Sequence, residues 1–425
     1  MAETEKTTKS AKDLETLLEI ARAMSAEKDI DNLLQLIMRE ATRLVGADRS
    51  TLFMVDERRN ELYSRIAQKS EITEIRVPLG KGIVGHVTGT GEVVNIKDAY
   101  CDNRFNPEVD KRTGFRTRNI LCAPLRTYDD KVIGAIQILN KRDGGFTDYD
   151  ENLILALGSH AAVALDNARL VQHYVEKQKL LQSLEIARQI QQGLLPKAVP
   201  EIAGFEFAGM SSPCDETGGD YYDYVPVGKE RMGVIVGDVS GHGIGSALLM
   251  ASTRAALRAL AIDTVDPAAI MFQLNKLMSQ DVGSSQFVTL FFGVIDPRER
   301  RLTYTSAGHD NPLLYRPGSG EFFEMESTGM PLGIIDDTDF PCGPDFGFEP
   351  GDVLLLTTDG VWEAMDPERQ SFGRDRLKAL LKERCARSAT EIMAAIFDAV
   401  KSFCSSAKQQ DDITMMVVKC TGKGK

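Results

Sequence analysis

The chain has 425 residues and a net charge of −12, and its 43% apolar and 26% charged content is the balance of a soluble globular protein. At roughly 150 residues per domain it is expected to hold two or three domains. Its acidic excess is spread along the chain with no basic stripe, which speaks against nucleic acid or an anionic membrane as the main partner.

In chain order, the polar residues 1–11 are expected to form a disordered tail without the apolar core of a secretory signal. No later stretch approaches the ~18 uninterrupted apolar residues of a membrane span, so a cytoplasmic location is expected. Residues 14–24 and 30–45 carry apolar side chains at helical spacing, with Asp29 or Asp31 near the second start and Gly46 beyond its end. Alternating runs at 50–55, 61–67, 92–96, 122–128 and 132–139 read as strands, the last two flanking a turn at Asp129-Asp130. Residues 151–195, rich in Leu, Ala, Gln, Glu and Lys, read as one long helical connector closed by Pro196 and Pro200. Within it Val171, Tyr174, Gln178 and Leu181 step as a coiled-coil seam that shifts to Leu184 and Ala187, which predicts a parallel homodimer. The alternative is an amphipathic helix packed on its own domain.

Strands dominate from residue 202: 205–209, 232–239, 287–295, 302–306, 353–357 and 413–418, with helical patterns at 245–261, 267–280, 375–383 and 389–404. Grouped strands with long helices between non-sequential pairs predict an α+β sandwich. The seven cysteines are widely spaced, without C-x-x-C, and are expected to be free thiols.

Four aspartates end apolar runs in this half: Asp220 in G-G-D-Y-Y-D, Asp238 in V-G-D-V-S-G-H-G, Asp359 in L-L-L-T-T-D-G and Asp411 in Q-D-D-I-T. Singly, each is an ordinary strand-to-turn junction. Gathered in one place, each pair would repel by about 4 kcal/mol at about 4 Å and an effective dielectric near 20. Such a cluster calls for cations. Hard oxygens without a histidine or cysteine cage suit Mg2+ or Mn2+, and hence metal-assisted hydrolysis of a phosphate ester.

Residues 185–419 resemble the metal-dependent protein serine/threonine phosphatases of the 2C type, in the bacterial sporulation and stress-response branch. The motifs run in family order: G-G-D-Y-Y-D, G-D-V-S-G-H-G-I-G-S-A-L-L-M-A, F-V-T-L-F-F-G-V-I-D, S-A-G-H-D-N-P, G-M-P-L-G-I, T-T-D-G-V-W-E-A and D-D-I-T. The resemblance implies an α-β-β-α sandwich over 198–421 holding two or more Mn2+ or Mg2+ ions. Asp238 and the Val239 carbonyl would bridge two metals, Asp220 would serve one, and Asp359 and Asp411 the other. Asp223 and Asp412 are neighbours that could take those roles instead. The family's general-acid histidine follows the bridging Asp-Gly pair directly. Here His242 is displaced in sequence and is a weaker candidate, and His309 reads as a core histidine. The implied substrate is a phosphoserine or phosphothreonine protein, an anti-sigma-factor antagonist.

Asn140-Lys141, Phe146 and Asp150-Glu151 form the N-K-F-D-E signature of GAF domains in cyclic-nucleotide phosphodiesterases, and the resemblance covers 12–172. It implies an antiparallel sheet with helices, a sensor role, and a cAMP or cGMP pocket lined by Asp110, Thr113, Thr117 and Gln137. Physically, Lys141 and Asp150 are expected to pair with each other rather than with ligand. The domain plan is thus a GAF sensor at 12–172, a helical linker at 165–197 and a phosphatase at 198–421. A phosphoprotein-binding module of weak activity, with a GAF domain that only dimerises, is the alternative.

Overall fold

In a computed structural model of the chain, residues 2–68, 71–228, 230–281 and 286–422 are described, the side chains of 2–11, 65–68, 71–74, 109 and 112–113 lying outside that description. The chain divides into two compact units, Met1–Lys179 and Leu180–Lys425.

The first unit opens with α1 (Ala2–Ala26) and α2 (Ile30–Val45). Helix α1 starts at Ala2, inside the stretch expected as a tail: residues 2–11 contain no Gly or Pro to stop a helix spreading back from the packed Leu17 and Ile20. Asp29, not Asp31, caps α2 by accepting from the Asn32 N–H at 2.9 Å, and Gly46 ends it in the left-handed region at φ 64°. There follow β1 (Ala47–Asp56), β2 (Glu61–Gln68), β3 (Glu71–Pro78), α3 (Gly82–Thr90), β4 (Val94–Ile96), α4 (Pro107–Thr113), β5 (Ile120–Arg126), β6 (Val132–Lys141) and α5 (Asp148–Leu194). The strands form one antiparallel sheet in the order β3-β2-β1-β6-β5-β4. Side-chain alternation splits it into two faces. Ile136 and Ile138 of β6 pack with α2 and the first turns of α5, while Ala135 faces α3 with Cys122 and Phe53. Strand β3 and helices α3 and α4 were not legible as elements in the sequence.

Lys141 and Asp150 are in contact as expected, with side chains 17% and 6% exposed, and Asp150 also accepts from the Thr147 N–H and hydroxyl, both at 2.8 Å. Burial pushes the Asp150 carboxyl up, but Lys141 and Thr147 outweigh it and hold the group below its ordinary range. Its stabilising contribution is therefore present above the ordinary carboxylate pKa and lost as pH falls through the depressed one. Asp150→Asn is expected to lower the unfolding free energy of the first unit by about 3 kcal/mol at neutral pH. In urea titrations followed by circular dichroism, the gap from wild type should close in strong acid.

The second unit holds β7 (Phe205–Ser212), β8 (Tyr221–Val227), β9 (Arg231–Val239), α6 (Ile244–Asp263), α7 (Pro267–Asp281), β10 (Val288–Asp296), β11 (Arg301–Ala307), β12 (Leu313–Arg316), β13 (Glu321–Glu324), β14 (Phe346–Gly347), β15 (Val353–Thr357), α8 (Asp359–Trp362), α9 (Arg374–Arg384), α10 (Ala389–Cys404) and β16 (Ile413–Cys420). Two five-stranded sheets form, β14-β11-β10-β9-β8 and β13-β12-β15-β16-β7. Tyr222, Tyr224, Val234 and Val236 of the first interdigitate with Leu354, Leu356, Met416 and Val418 of the second. The alternate residues turn outward: Val225 and Ile235 onto α6 and α7, and Val353, Leu355 and Val417 onto α9 and α10. The result is the expected α-β-β-α sandwich. All seven cysteines are free. Among the described residues no helix is long and apolar enough to cross a membrane.

Candidate active site

The sandwich carries its aspartates at strand ends. Asp238 is the penultimate residue of β9, Asp220 precedes β8, Asp359 opens α8 just after β15, and Asp411 lies just before β16. Strands from both sheets thus end at one cluster, and the carboxyls act on one another. Burial, then Asp359, Asp411 and Asp412, push Asp238 up to about 7. Burial, then Asp411 and Asp310, push Asp359 up to about 6. Burial, then Asp238 and Asp412, raise Asp220 well above the ordinary range, while the Thr358 hydroxyl donates to it at 2.8 Å.

The G-G-D turn explains how backbone and carboxylates come so close. A Cβ on Gly219 would lie 2.6 Å from the Val239 carbonyl oxygen and 3.4 Å from an Asp238 carboxylate oxygen. One on Gly218 would lie 2.1 Å from Asp412 Oδ2. Only glycine fits at either place.

Two sequence candidates have other work. Asp223 is fully buried: Arg258 donates to it twice at 2.6 Å, the Tyr221 hydroxyl at 2.7 Å and the Tyr224 N–H at 2.8 Å. This corrects its candidacy as a ligand, because alternation along β8 turns it with Val225 toward α6. Asp412 accepts from the N–H groups of Cys214 at 2.8 Å, Gly219 at 2.8 Å and Asp220 at 3.3 Å, so it anchors the 214–220 loop. Asp411 is the exposed member of that pair, bonded through one oxygen to the Asp412 N–H at 2.8 Å.

His242 is exposed on the loop after Asp238, its Nδ1 3.4 Å from Asp215, which also faces Lys408 at 3.4 Å. His309 is buried, and burial pushes it down to about 4, so it is neutral. Its Nδ1 lies 3.0 Å from the Thr289 hydroxyl, which donates to the Asp238 carbonyl at 3.4 Å. That is the core role read from the sequence. Sequence reasoning missed Asp215, Thr358 and Gln191. The Gln191 side-chain amide, near the end of α5, donates to Gly218 O at 2.6 Å and accepts from Gly218 N–H at 3.1 Å. No local pattern marks a helix glutamine for that pairing.

The donor set fits a hard divalent cation: carboxylate oxygens that burial and one another disfavour as anions, beside a carbonyl and without thiolate or imidazole. Among the described residues no three such groups already stand at ligand spacing. Mg2+-like ions that keep several waters match such a partial set.

In the first unit, Asp110 and Thr117 meet each other. The Thr117 N–H and hydroxyl donate to Asp110 at 2.7 and 2.8 Å, and the Tyr100 hydroxyl at 3.1 Å. Gln137 projects from the α3-facing side of β6, opposite Cys122 on β5. The Thr113 side chain lies outside the described residues.

Comparison with known proteins agrees with this layout. Residues 228–421 match the family described as Stage II sporulation protein E (SpoIIE), and residues 29–165 match the GAF domain. The chain is 31% identical over 243 residues to "Phosphoserine phosphatase RsbU" of Bacillus subtilis, covering 57% of this chain and 71% of that protein. This chain belongs to the SpoIIE/RsbU family of PP2C-type phosphatases. By class it is a protein serine/threonine phosphatase, with a GAF domain ahead of the catalytic domain. Family members are in general dependent on divalent metal. The chain is also 38% identical over 167 residues to a probable 3',5'-cyclic phosphodiesterase (pde-5) of Caenorhabditis elegans, covering 36% of this chain but only 23% of that protein. The SiaA-PP2C domain of Pseudomonas aeruginosa shares the fold, with a TM-score of 0.51 at 24% identity over 57% of this chain and 98% of that one.

The raised carboxyls carry a pH signature. The folded chain keeps protons that the unfolded chain releases above about pH 4. Their stabilising contribution is therefore present below that pH and lost as pH rises through about 6 for Asp359 and about 7 for Asp238. EDTA-treated protein is expected to lose thermal stability between about pH 5 and pH 7.5, and Asp238→Asn should flatten that slope. Millimolar Mn2+ should restore the melting temperature at the upper pH, read by differential scanning fluorimetry.

Proposed function

We propose that this phosphatase hydrolyses phosphoserine or phosphothreonine on a protein substrate, using Mn2+ or Mg2+ ions held by Asp238, the Val239 carbonyl, Asp220, Asp359 and Asp411. The observation that carries the reading is the gathering of Asp220, Asp238 and Asp359 at strand ends of both sheets, where burial first and neighbouring carboxyls second raise all three. Carboxyls this crowded are at ease only beside positive charge. When bound, the ions would supply a water acidic enough to attack phosphorus at neutral pH.

The remaining roles fall to the chain itself. Thr358 orients Asp220, and Asp412 holds the G-G-D turn through three backbone N–H groups. The general-acid role toward the departing serine or threonine oxygen is assigned in this proposal to His242, whose Nδ1 lies 3.4 Å from Asp215. The substrate class we infer is the phosphorylated anti-sigma-factor antagonist, supported by kinship with RsbU.

Regulation by the GAF domain is part of the proposal, with boundaries at 12–172 for the sensor, 165–197 for the linker and 198–421 for the phosphatase. The two Gln191 contacts tie the end of α5 to the loop that carries Asp220. Exposed Val171, Tyr174 and Leu181 support a parallel homodimer seam along α5. The GAF ligand class we infer is cAMP or cGMP, on the side of the sheet that carries Asp110, Thr117 and Gln137. Asp110 would have to exchange bonds with Thr117 and Tyr100 to receive it.

Turnover of p-nitrophenyl phosphate and phosphoserine peptides is expected only with Mn2+ or Mg2+. Asp238→Asn should abolish it while leaving the circular dichroism spectrum unchanged, and full activity in excess EDTA would refute the mechanism. His242→Gln separates the leaving groups. It should slow phosphoserine hydrolysis about 100-fold, because an alkoxide needs a proton, and scarcely affect p-nitrophenyl phosphate, whose phenolate leaves unaided. Equal losses on both substrates would remove His242 as the acid.

A further inference from the structure

Beside the carboxylate cluster the second unit has a cavity of about 470 Å³. Its volume falls within the roughly 300–1,000 Å³ of ligand pockets. Asp411 lines it directly, and so does Gly360, the neighbour of Asp359. Anything seated in it is thus next to the point where the phosphate ester would be cut. The catalytic chemistry makes no use of the rest of the lining.

That lining has two characters. Phe397, Met365 and Ile413 are half-buried or buried and form an apolar floor. Lys401, at the end of α10, and Lys408, in the loop that leads to Asp411, are exposed at the rim. The acidic lining residues, Asp411 and Glu363, come from the segments that carry the cluster itself, while the basic ones stand on the last turn of α10 and the loop after it, Lys408 also facing Asp215 at 3.4 Å. A chain with a net charge of −12 and crowded carboxylates at this mouth repels an acidic phosphoprotein at long range. Two lysines at the pocket rim offset that repulsion locally.

We propose that this pocket is the docking subsite for the substrate's polypeptide beside its phosphorylated residue. An apolar side chain would lie against Phe397, Met365 and Ile413, and an acidic one would meet Lys401. The inference rests on the phosphatase reading and deepens it, assigning to Lys401 and the pocket floor a choice among phosphoproteins that the metal site cannot make. The metal site sees only phosphate. The pocket sees the sequence around it.

The test uses the full chain with Mn2+ and two phosphoserine peptides that differ only in whether glutamate or lysine flanks the Leu-phosphoserine pair. Wild type is expected to favour the acidic peptide by about tenfold in kcat/KM, through KM. Lys401→Glu should abolish or invert that preference and keep p-nitrophenyl phosphate turnover within about twofold of wild type. Ala407→Trp, which fills the cavity from a surface loop, should raise KM for both peptides. Fluorescence anisotropy of the labelled acidic peptide on the Asp238→Asn chain reads the same preference without turnover. Failure of p-nitrophenyl phosphate hydrolysis in wild type would strike the phosphatase reading alone, leaving the anisotropy to decide the pocket. Equal affinity for the two peptides, a preference for the basic one, or a Lys401→Glu change equal on peptide and p-nitrophenyl phosphate would overturn the proposal.

Discussion

The second unit is organised around an electrostatic conflict: carboxylates from both sheets are driven to the same end of one sandwich. Asp220 and Asp238 belong to the β8–β9 side, Asp359 and Asp411 to the β15–β16 side. The two sheets meet over a continuous apolar layer that includes Tyr222, Val236, Phe291, Leu356 and Met416. Burying that layer is what sets the strand ends, because the sheets cannot separate at one end without exposing it. The carboxyls then meet partial burial and one another, which raises Asp238 and Asp359 above the ordinary carboxylate range. A divalent cation of the kind proposed for this site would offset that repulsion at the edge of the apolar layer.

Precision at the site comes from the neighbours of the cluster. Each acidic pair divides its labour. Asp220 belongs to the cluster while Asp223 locks β8 to α6 through Arg258, and Asp411 faces outward while Asp412 is consumed by backbone N–H groups. The glycines of G-G-D permit contacts that any Cβ would block. Thr358 and Thr289 connect the cluster to the strands behind it, the second of them through the neutral ring of His309. The loop that carries Asp220 is thus held from two directions, by Asp412 and by Gln191 of α5. A contact of that kind makes the position of Asp220 depend on where the helix ends.

The GAF unit solves a different problem with similar means. Its signature residues serve the fold: Lys141 meets Asp150 at the start of α5, and Asn140, in the left-handed region at φ 60°, bonds the Arg118 N–H and the Arg116 carbonyl. Asp110 and Thr117, read from the sequence as ligand-facing, satisfy each other. A buried carboxylate without ligand needs such partners, since an unpaired one costs several kcal/mol, on the order of a domain's net stability.

The sequence by itself determined the GAF and phosphatase kinds, the sandwich class and the aspartates that close strands, because these rest on periodicity and on motifs whose meaning is local. The short apolar runs in L-L-L-T-T and V-I-V-G-D predict buried strands, and an aspartate closing such a strand predicts a strand-end carboxylate. It determined the Lys141–Asp150 pair for the same reason. Tertiary structure alone decided how each acidic pair divides its hydrogen bonds, since Asp223 and Asp412 differ from Asp220 and Asp411 in partners far along the chain: Arg258 for one, the backbone of Cys214 and Gly219 for the other. It also decided that Asp215 meets His242 and that Gln191 grips Gly218, contacts between segments that share no periodicity. Hydrophobic pattern records which face of a strand is buried. It does not record which loops meet once the two sheets have closed, and in this phosphatase the candidate chemistry lies where the loops meet.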